Sequence, residues 1–138
     1  MNIYFGGSVT GTRENNSQVK VFKEMIDVLK LKHKVLTDYV GDEDFKGDTI
    51  PAVEVFERDM VWLRNADLLV ADVSQASLGL GYELGYAQSL KKPIILFYRN
   101  QEGKKLSPII SGNNYYRLYY YDDVKDIIDM LQNIETFV

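Results

Sequence analysis

Apolar residues along this chain alternate between short unbroken runs and longer stretches in which they return at the spacing of a helix face. The runs at residues 2–5, 34–37, 68–73, 94–98 and 117–120 read as strands. Between them, residues 17–31 place Val19, Phe22, Ile26 and Leu29 on one helical face, and residues 50–65 and 79–90 read as two further helices. A short helix is expected in the late loop at 106–111, and a last helix over 122–134 carries Val124, Ile127, Ile128 and Leu131. Turn chemistry punctuates these elements: a Gly-rich turn at 6–11, an Asp- and Gly-rich stretch at 38–49, and Pro93 opening the strand that follows it. The run at 68–73 is apolar on both sides, the pattern of a buried parallel strand.

Strands alternating with helices predict an α/β fold: a single-domain, doubly wound, Rossmann- or flavodoxin-like parallel sheet of five strands with helices on both faces, spanning residues 1–138. No repeat or low-complexity block interrupts it. Such sheets bind ligands beyond the carboxyl ends of their strands. That rule gathers residues 6–11, 72–81 and 98–107 at one rim, although they are far apart in the chain.

Composition then removes several chemistries. Without cysteine there is no disulfide, thiolate metal site or cysteine nucleophile, and the lone His33 leaves no histidine pair for zinc. His33 also sits in a Lys-rich stretch, a poor setting for a Ser-His-Asp triad. The apolar runs are too short to cross a bilayer and the amino terminus enters a strand, so a cytoplasmic protein without membrane contact is expected. A net charge of −4, with Lys91-Lys92 and Lys104-Lys105 as isolated doublets, argues against a nucleic-acid polymer as partner.

Three places carry candidate chemistry. Gly6-Gly7-Ser8-Val9-Thr10-Gly11 follows a strand and precedes a helix, so backbone N–H groups and two hydroxyls could converge on an anion. It has neither the Lys of a P-loop nor the spacing of a dinucleotide loop, and a plain tight turn is the alternative. In Ser77-Leu78-Gly79-Leu80-Gly81-Tyr82-Glu83-Leu84-Gly85-Tyr86-Ala87, glycines recur inside a helix start, where each costs up to ~1 kcal/mol against alanine. That cost suggests close approach of something to the backbone. Glu83 is expected in the first turn or so among apolar neighbours, a nucleophile or base if partly buried and otherwise a complement to the helix dipole.

Asp59 is the third, falling on the stripe of Val55, Phe56, Trp62, Leu63 and Ala66 that should point inward. A charge there needs a partner, and a buried salt bridge or a cap is the alternative to catalysis. Glu54, Glu57, Arg58 and Arg64 read as the solvated face of the same helix. Two carboxylates at one rim, beside a loop of phosphate size, fit cleavage of a glycosidic bond through an oxocarbenium-like transition state. Mg²⁺-assisted phosphoryl transfer would also use an acid pair, but it wants a Lys or Arg aimed from a defined loop, and none stands out.

Five segments together resemble a known family. They are Ile3-Tyr4-Phe5-Gly6-Gly7-Ser8 with Gly11 and Arg13; Glu57-Arg58-Asp59-Met60-Val61-Trp62-Leu63; Ala66-Asp67 through Val73; Ser77-Leu78-Gly79-Leu80-Gly81-Tyr82-Glu83-Leu84-Gly85; and Leu106-Ser107-Pro108-Ile109-Ile110-Ser111-Gly112. Over nearly the whole chain they resemble the 2′-deoxynucleoside 5′-monophosphate N-glycosidases, relatives of the nucleoside 2-deoxyribosyltransferases. The resemblance implies Glu83 as the nucleophile that forms a glycosyl ester, Asp59 as the acid/base group and Tyr4 as the hydroxyl that orients the nucleophile. It places Gly7, Ser8, Gly11, Ser77 and Gly79 around the 5′-phosphate, with Ser107 reaching it from a neighbouring subunit and hence a homodimer. Neither a cofactor nor a metal is implied.

One position departs from the pattern: Thr10 stands where the nucleotide-hydrolysing relatives carry an arginine, leaving Arg13 as its substitute. Ser77 and Ser107 favour a monophosphate hydrolase over a transferase that exchanges bases on free deoxynucleosides. A non-catalytic nucleotide-binding module on the same fold is the remaining alternative. Tyr115, Tyr116, Tyr119, Tyr120 and Tyr121 are expected to pack in the core or a dimer contact rather than stack on a base. Asp67 and Asp72 should cap the strand they flank, with Asp72 at its carboxyl end within sight of the sugar.

Overall fold

The computed structural model describes residues 1–9 and 16–138. Five strands, β1 (Asn2–Gly6), β2 (Lys34–Val35), β3 (Leu68–Asp72), β4 (Ile94–Arg99) and β5 (Arg117–Tyr121), form one sheet in the order β2-β1-β3-β4-β5. Every adjacent pair is parallel; Phe5 lies opposite Val70, Val70 opposite Ile95 and Phe97 opposite Tyr119. This is the doubly wound arrangement that the alternating pattern predicts. The chain turns back on itself between β1 and β3, the switch point at which such sheets open a crevice. All five residues of β3 and the first five of β4 are buried, as a central parallel strand requires.

Helices α1 (Asn16–Lys30), α2 (Ala52–Asn65), α3 (Leu78–Ser89), α4 (Pro108–Ser111) and α5 (Ile128–Gln132) complete the architecture. The period of two along β1 sorts them into layers. Ile3 and Phe5 face Phe22, Met25, Ile26 and Leu29 of α1, together with Leu131 of α5. Tyr4 points the other way, into a core made with Met60 and Leu63 of α2 and Leu80, Leu84 and Ala87 of α3. Each fully buried Leu, Ile or Phe here contributes about 1.5–3 kcal/mol. The ring of Phe22 meets Phe5 edge-on at 5.7 Å.

Packing also explains the first glycines. A Cβ on Gly6 would lie 2.6 Å from Leu80 Cδ1, and one on Gly7 2.7 Å from Phe22 Cε2. Helices α3 and α1 close over the end of β1 only because these two positions carry no side chain. Close packing against α3 and α1 therefore accounts for Gly6 and Gly7, whatever the loop binds.

Three boundaries differ from the sequence reading. Strand β2 stops at Val35, because the Thr37 hydroxyl accepts from Phe5 N at 2.8 Å and donates to Phe5 O at 2.7 Å, taking over the place of a ladder. The chain then turns through a 3₁₀ helix, Asp38–Gly41, inside the stretch expected to be loop. The last helix is broken: 3₁₀ turns Val124–Ile127 and Ile134–Phe137 flank a short α5. A reciprocal cap between Asp123 and Asp126 tightens the first turn, and Asn133 leaves helical geometry at φ −124°. Val124, Ile127, Leu131 and Ile134 are buried all the same, so the apolar pattern survives the break.

The carboxyl-terminal rim is joined as the topology requires. Ser74 Oγ after β3 accepts from Arg99 N at 2.8 Å, and Gln101 Nε2 donates to Ser74 O at 3.1 Å. His33 lies at the opposite edge, just before β2, 3.2 Å from Glu135. Among the described residues no helix is long and apolar enough to cross a membrane.

Candidate active site

Three elements on one face of the sheet bring the candidate groups together. Ser77 caps α3, its Oγ accepting from Leu80 N at 3.2 Å, and Leu80, Leu84 and Ala87 fasten the inner side of the helix to the sheet. Glu83, beside Leu84, is thereby turned toward β1. It sits in the second turn rather than the first, so the pull of the helix dipole is weaker than the sequence suggested. Tyr4, 3% exposed in the middle of β1, donates its hydroxyl to the Glu83 carboxylate. Asp59 joins them from α2, its side chain 15% exposed.

The electrostatics follow from crowding two acids into a poorly hydrated place. Burial pushes the Glu83 carboxyl up to about 7; the Tyr4 hydroxyl opposes the rise and the charge of Asp59 adds to it. Tyr4 is held far above an ordinary phenol by burial and by the charges of Glu83 and Asp59, so it stays a hydrogen-bond donor. Asp59 is raised by burial and held down by the adjacent Arg58 guanidinium. The result is a pair of carboxyl groups, both raised by burial, under one tyrosine.

Arg58 is not on a solvated face. Its Nε donates to Asp59 Oδ1 at 3.0 Å, its terminal nitrogens donate to Asp48 at 2.8 and 3.1 Å, and Nη2 also donates to the Tyr39 hydroxyl at 3.0 Å. Phe56, expected to point inward, is 51% exposed instead. Only Met60 and Leu63 of α2 are buried, because the helix leans on the sheet by its second half. Sequence reasoning missed Tyr39, Asp48 and Arg58 as one cluster. The usable signal was that Asp59 needed a partner and an arginine was its neighbour.

The other candidates divide. Ser8 is buried at the end of β1 beside Gly7, whereas Thr10, Gly11 and Arg13 lie outside the described residues. Ser77 and Ser107 line one groove of about 1090 Å³ with Leu78, Leu106 and Ile109. Gly81 and Leu84 of α3 also line it, so the groove and Glu83 share that helix. A Cβ at Gly79, Gly81 or Gly85 would meet nothing within 4 Å, so the packing of this chain does not demand these glycines.

Asp72 does not face the site. It is 1% exposed, accepts from Gln18 Nε2 and Ser74 N at 2.9 Å and from the Tyr121 hydroxyl, and so ties α1, β5 and the β3–α3 loop together. Asp67 caps as expected, accepting from Asn2 N at 2.7 Å. Of the late tyrosines, Tyr121 is buried, Tyr115, Tyr116 and Tyr119 pack against the two cores, and Tyr120 is 54% exposed. Among the described residues no group of His, Cys, Asp and Glu could hold a metal ion.

With this geometry in place, comparison with known proteins is decisive: the family model for nucleoside 2-deoxyribosyltransferase matches residues 3–115. The chain belongs to that family. This member of the nucleoside 2-deoxyribosyltransferase family is 37% identical over 141 residues to a 5-hydroxymethyl-dUMP N-hydrolase of Danio rerio, covering 97% of this chain and 92% of the other. It is 42% identical over 114 residues to the 5-hydroxymethyl-dUMP N-hydrolase of Mus musculus, covering 80% of this chain and 64% of the mouse protein. Its fold matches that of a Clostridium botulinum CMP N-glycosidase with a TM-score of 0.69 at 18% identity, over 100% of both chains.

Proposed function

We propose that this nucleoside 2-deoxyribosyltransferase family member hydrolyses the N-glycosidic bond of 2′-deoxynucleoside 5′-monophosphates, releasing free base and deoxyribose 5-phosphate. The observation that carries the reading is the Tyr4 hydroxyl on the Glu83 carboxylate with Asp59 alongside. The N-hydrolase names of the relatives support it. Glu83 attacks C1′; the C1′–N bond breaks, and its electron pair leaves with the base, which takes a proton from Asp59. Water then attacks C1′, the ester electrons return to Glu83 and the proton of water passes to Asp59. No cofactor enters this scheme.

The 5′-phosphate is assigned to Gly7, Ser8, Gly11, Arg13, Ser77 and Gly79. The enzyme acts as a homodimer in which Ser107 serves a neighbouring site. Supporting this, Leu78 is 98% and Ile109 79% exposed beside Ser77 and Ser107, where two copies could cover them. Leu78→Asp should then shift the protein toward monomer in sedimentation and reduce turnover; a wild-type monomer with full activity would refute the shared site.

Free-base release, followed by chromatography, tests the chemistry. The wild type should release base from deoxynucleoside monophosphates without an acceptor, and Glu83→Ala should not. Exchange seen only on free deoxynucleosides with an added base would make the protein a transferase, the reading that Thr10 favours. Binding without turnover that survives Glu83→Ala would make it a nucleotide-binding module.

A further inference from the structure

Arg58 and Asp59 are consecutive residues of α2, and consecutive helical side chains normally diverge. Here they meet, with Arg58 Nε 3.0 Å from Asp59 Oδ1. Something must fold the arginine back, and the surroundings show what does. Asp48 grips both terminal nitrogens at 2.8 and 3.1 Å, the Tyr39 hydroxyl accepts from Nη2 at 3.0 Å, and the guanidinium lies 4.9 Å from the Trp62 ring centre and 5.4 Å from that of Tyr39. A fork held on three sides is fixed in direction, unlike an exposed ion pair.

We propose that Arg58, braced by Asp48 and Tyr39, is a positioning residue for Asp59: it occupies Oδ1, so that Oδ2 is the oxygen presented to the leaving base and then to water. Among the described residues nothing donates to Oδ2. The inference rests on the N-glycosidase reading, in which Asp59 must exchange a proton twice per turnover. The charged and titratable groups around Asp59 are Arg58 on its own helix, Tyr39 and Asp48 from the segment between β2 and α2, Glu83 from α3 and Tyr4 from β1. Among the described residues Arg58 is the one cation of the set. It opposes burial and the neighbouring carboxylates, so that Asp59 can return to its anionic form between steps.

The role differs from simply fastening the 42–50 segment to α2, and a double-mutant cycle separates the two. Arg58→Gln should lower kcat at least about tenfold with KM changed less than about threefold, and Arg58→Lys should recover part of the loss. In an Asp59→Asn background, Arg58→Gln should change kcat less than about twofold, because the group it positions has been removed. Asp48→Asn should shift kcat in the same direction by a smaller factor. Equal losses in both backgrounds, or an effect on KM alone, would overturn the proposal in favour of a structural clamp. A second readout needs no turnover: the Asp59 carboxyl carbon, titrated by NMR, should move its midpoint upward in Arg58→Gln. An unmoved midpoint refutes the hold of Arg58 on Asp59, whereas a wild type that releases no base refutes the N-glycosidase reading instead.

Discussion

Replacing Glu83 by glutamine should stabilise the protein, and the gain should depend on pH. Burial beside Asp59 takes the Glu83 carboxyl from its ordinary 4.5 up to about 7 in the folded chain. Between those values the unfolded chain has released a proton that the folded chain still holds, so stability falls as pH rises through this window. Below 4.5 both states are protonated and there is no penalty; above about 8 both are ionised and the penalty is constant. The interval from 4.5 to about 7, at about 1.36 kcal/mol per pH unit, corresponds to about 3 kcal/mol, and partial solvent access reduces that to about 2. Glutamine never ionises and can still accept from Tyr4. At about 3 °C per kcal/mol for a chain of this length, Tm of Glu83→Gln should exceed that of the wild type by about 6 °C at pH 8 and by little at pH 5. Melting both proteins by circular dichroism at pH 5, 6, 7 and 8 measures the gap. A gap that is flat across the series, or that closes toward pH 8, would show that ionised Glu83 is accommodated without cost and would refute the argument.

The remaining predictions rest on the same contacts. Because Glu83 must be anionic and Asp59 protonated for the first step, kcat/KM should be bell-shaped in pH; Tyr4→Phe removes the bond that holds Glu83 down, so the limb belonging to Glu83 should move to higher pH in the pH–rate profile. Tyr121→Phe takes a donor from the buried Asp72 and should cost about 1–3 kcal/mol in urea unfolding, with basic pH increasing the loss. Gly7→Ala drives a methyl to within 2.7 Å of the Phe22 ring and should cost about 1–3 kcal/mol by thermal melting, whereas Gly81→Ala, with open space around it, should leave stability unchanged or raise it by up to ~1 kcal/mol.

The sequence by itself determined the sheet and most of its helices, because parallel strands buried on both faces and amphipathic helices write their burial directly into the apolar pattern. It also singled out Glu83 and Asp59, one as an acid in a glycine-broken helix start, the other as a charge on an inward stripe. Local competition escaped it: Thr37 bonding Phe5 and ending β2, and the Asp123–Asp126 cap breaking the last helix, are side-chain contacts that periodicity does not record. Tertiary structure alone decided what the polar groups meet. Asp72 at the end of β3 and Asp59 within α2 both read as carboxylates in need of a partner, yet one is consumed by Gln18, Tyr121 and Ser74 while the other, among the described residues, is gripped by Arg58 on one oxygen only. Arg58 reads as solvated on a helical wheel, and it became a hub because the segment carrying Tyr39 and Asp48 folds over it. A side chain's apolar face is fixed by helix and strand period, whereas its charge partner depends on which distant segment the topology lays beside it.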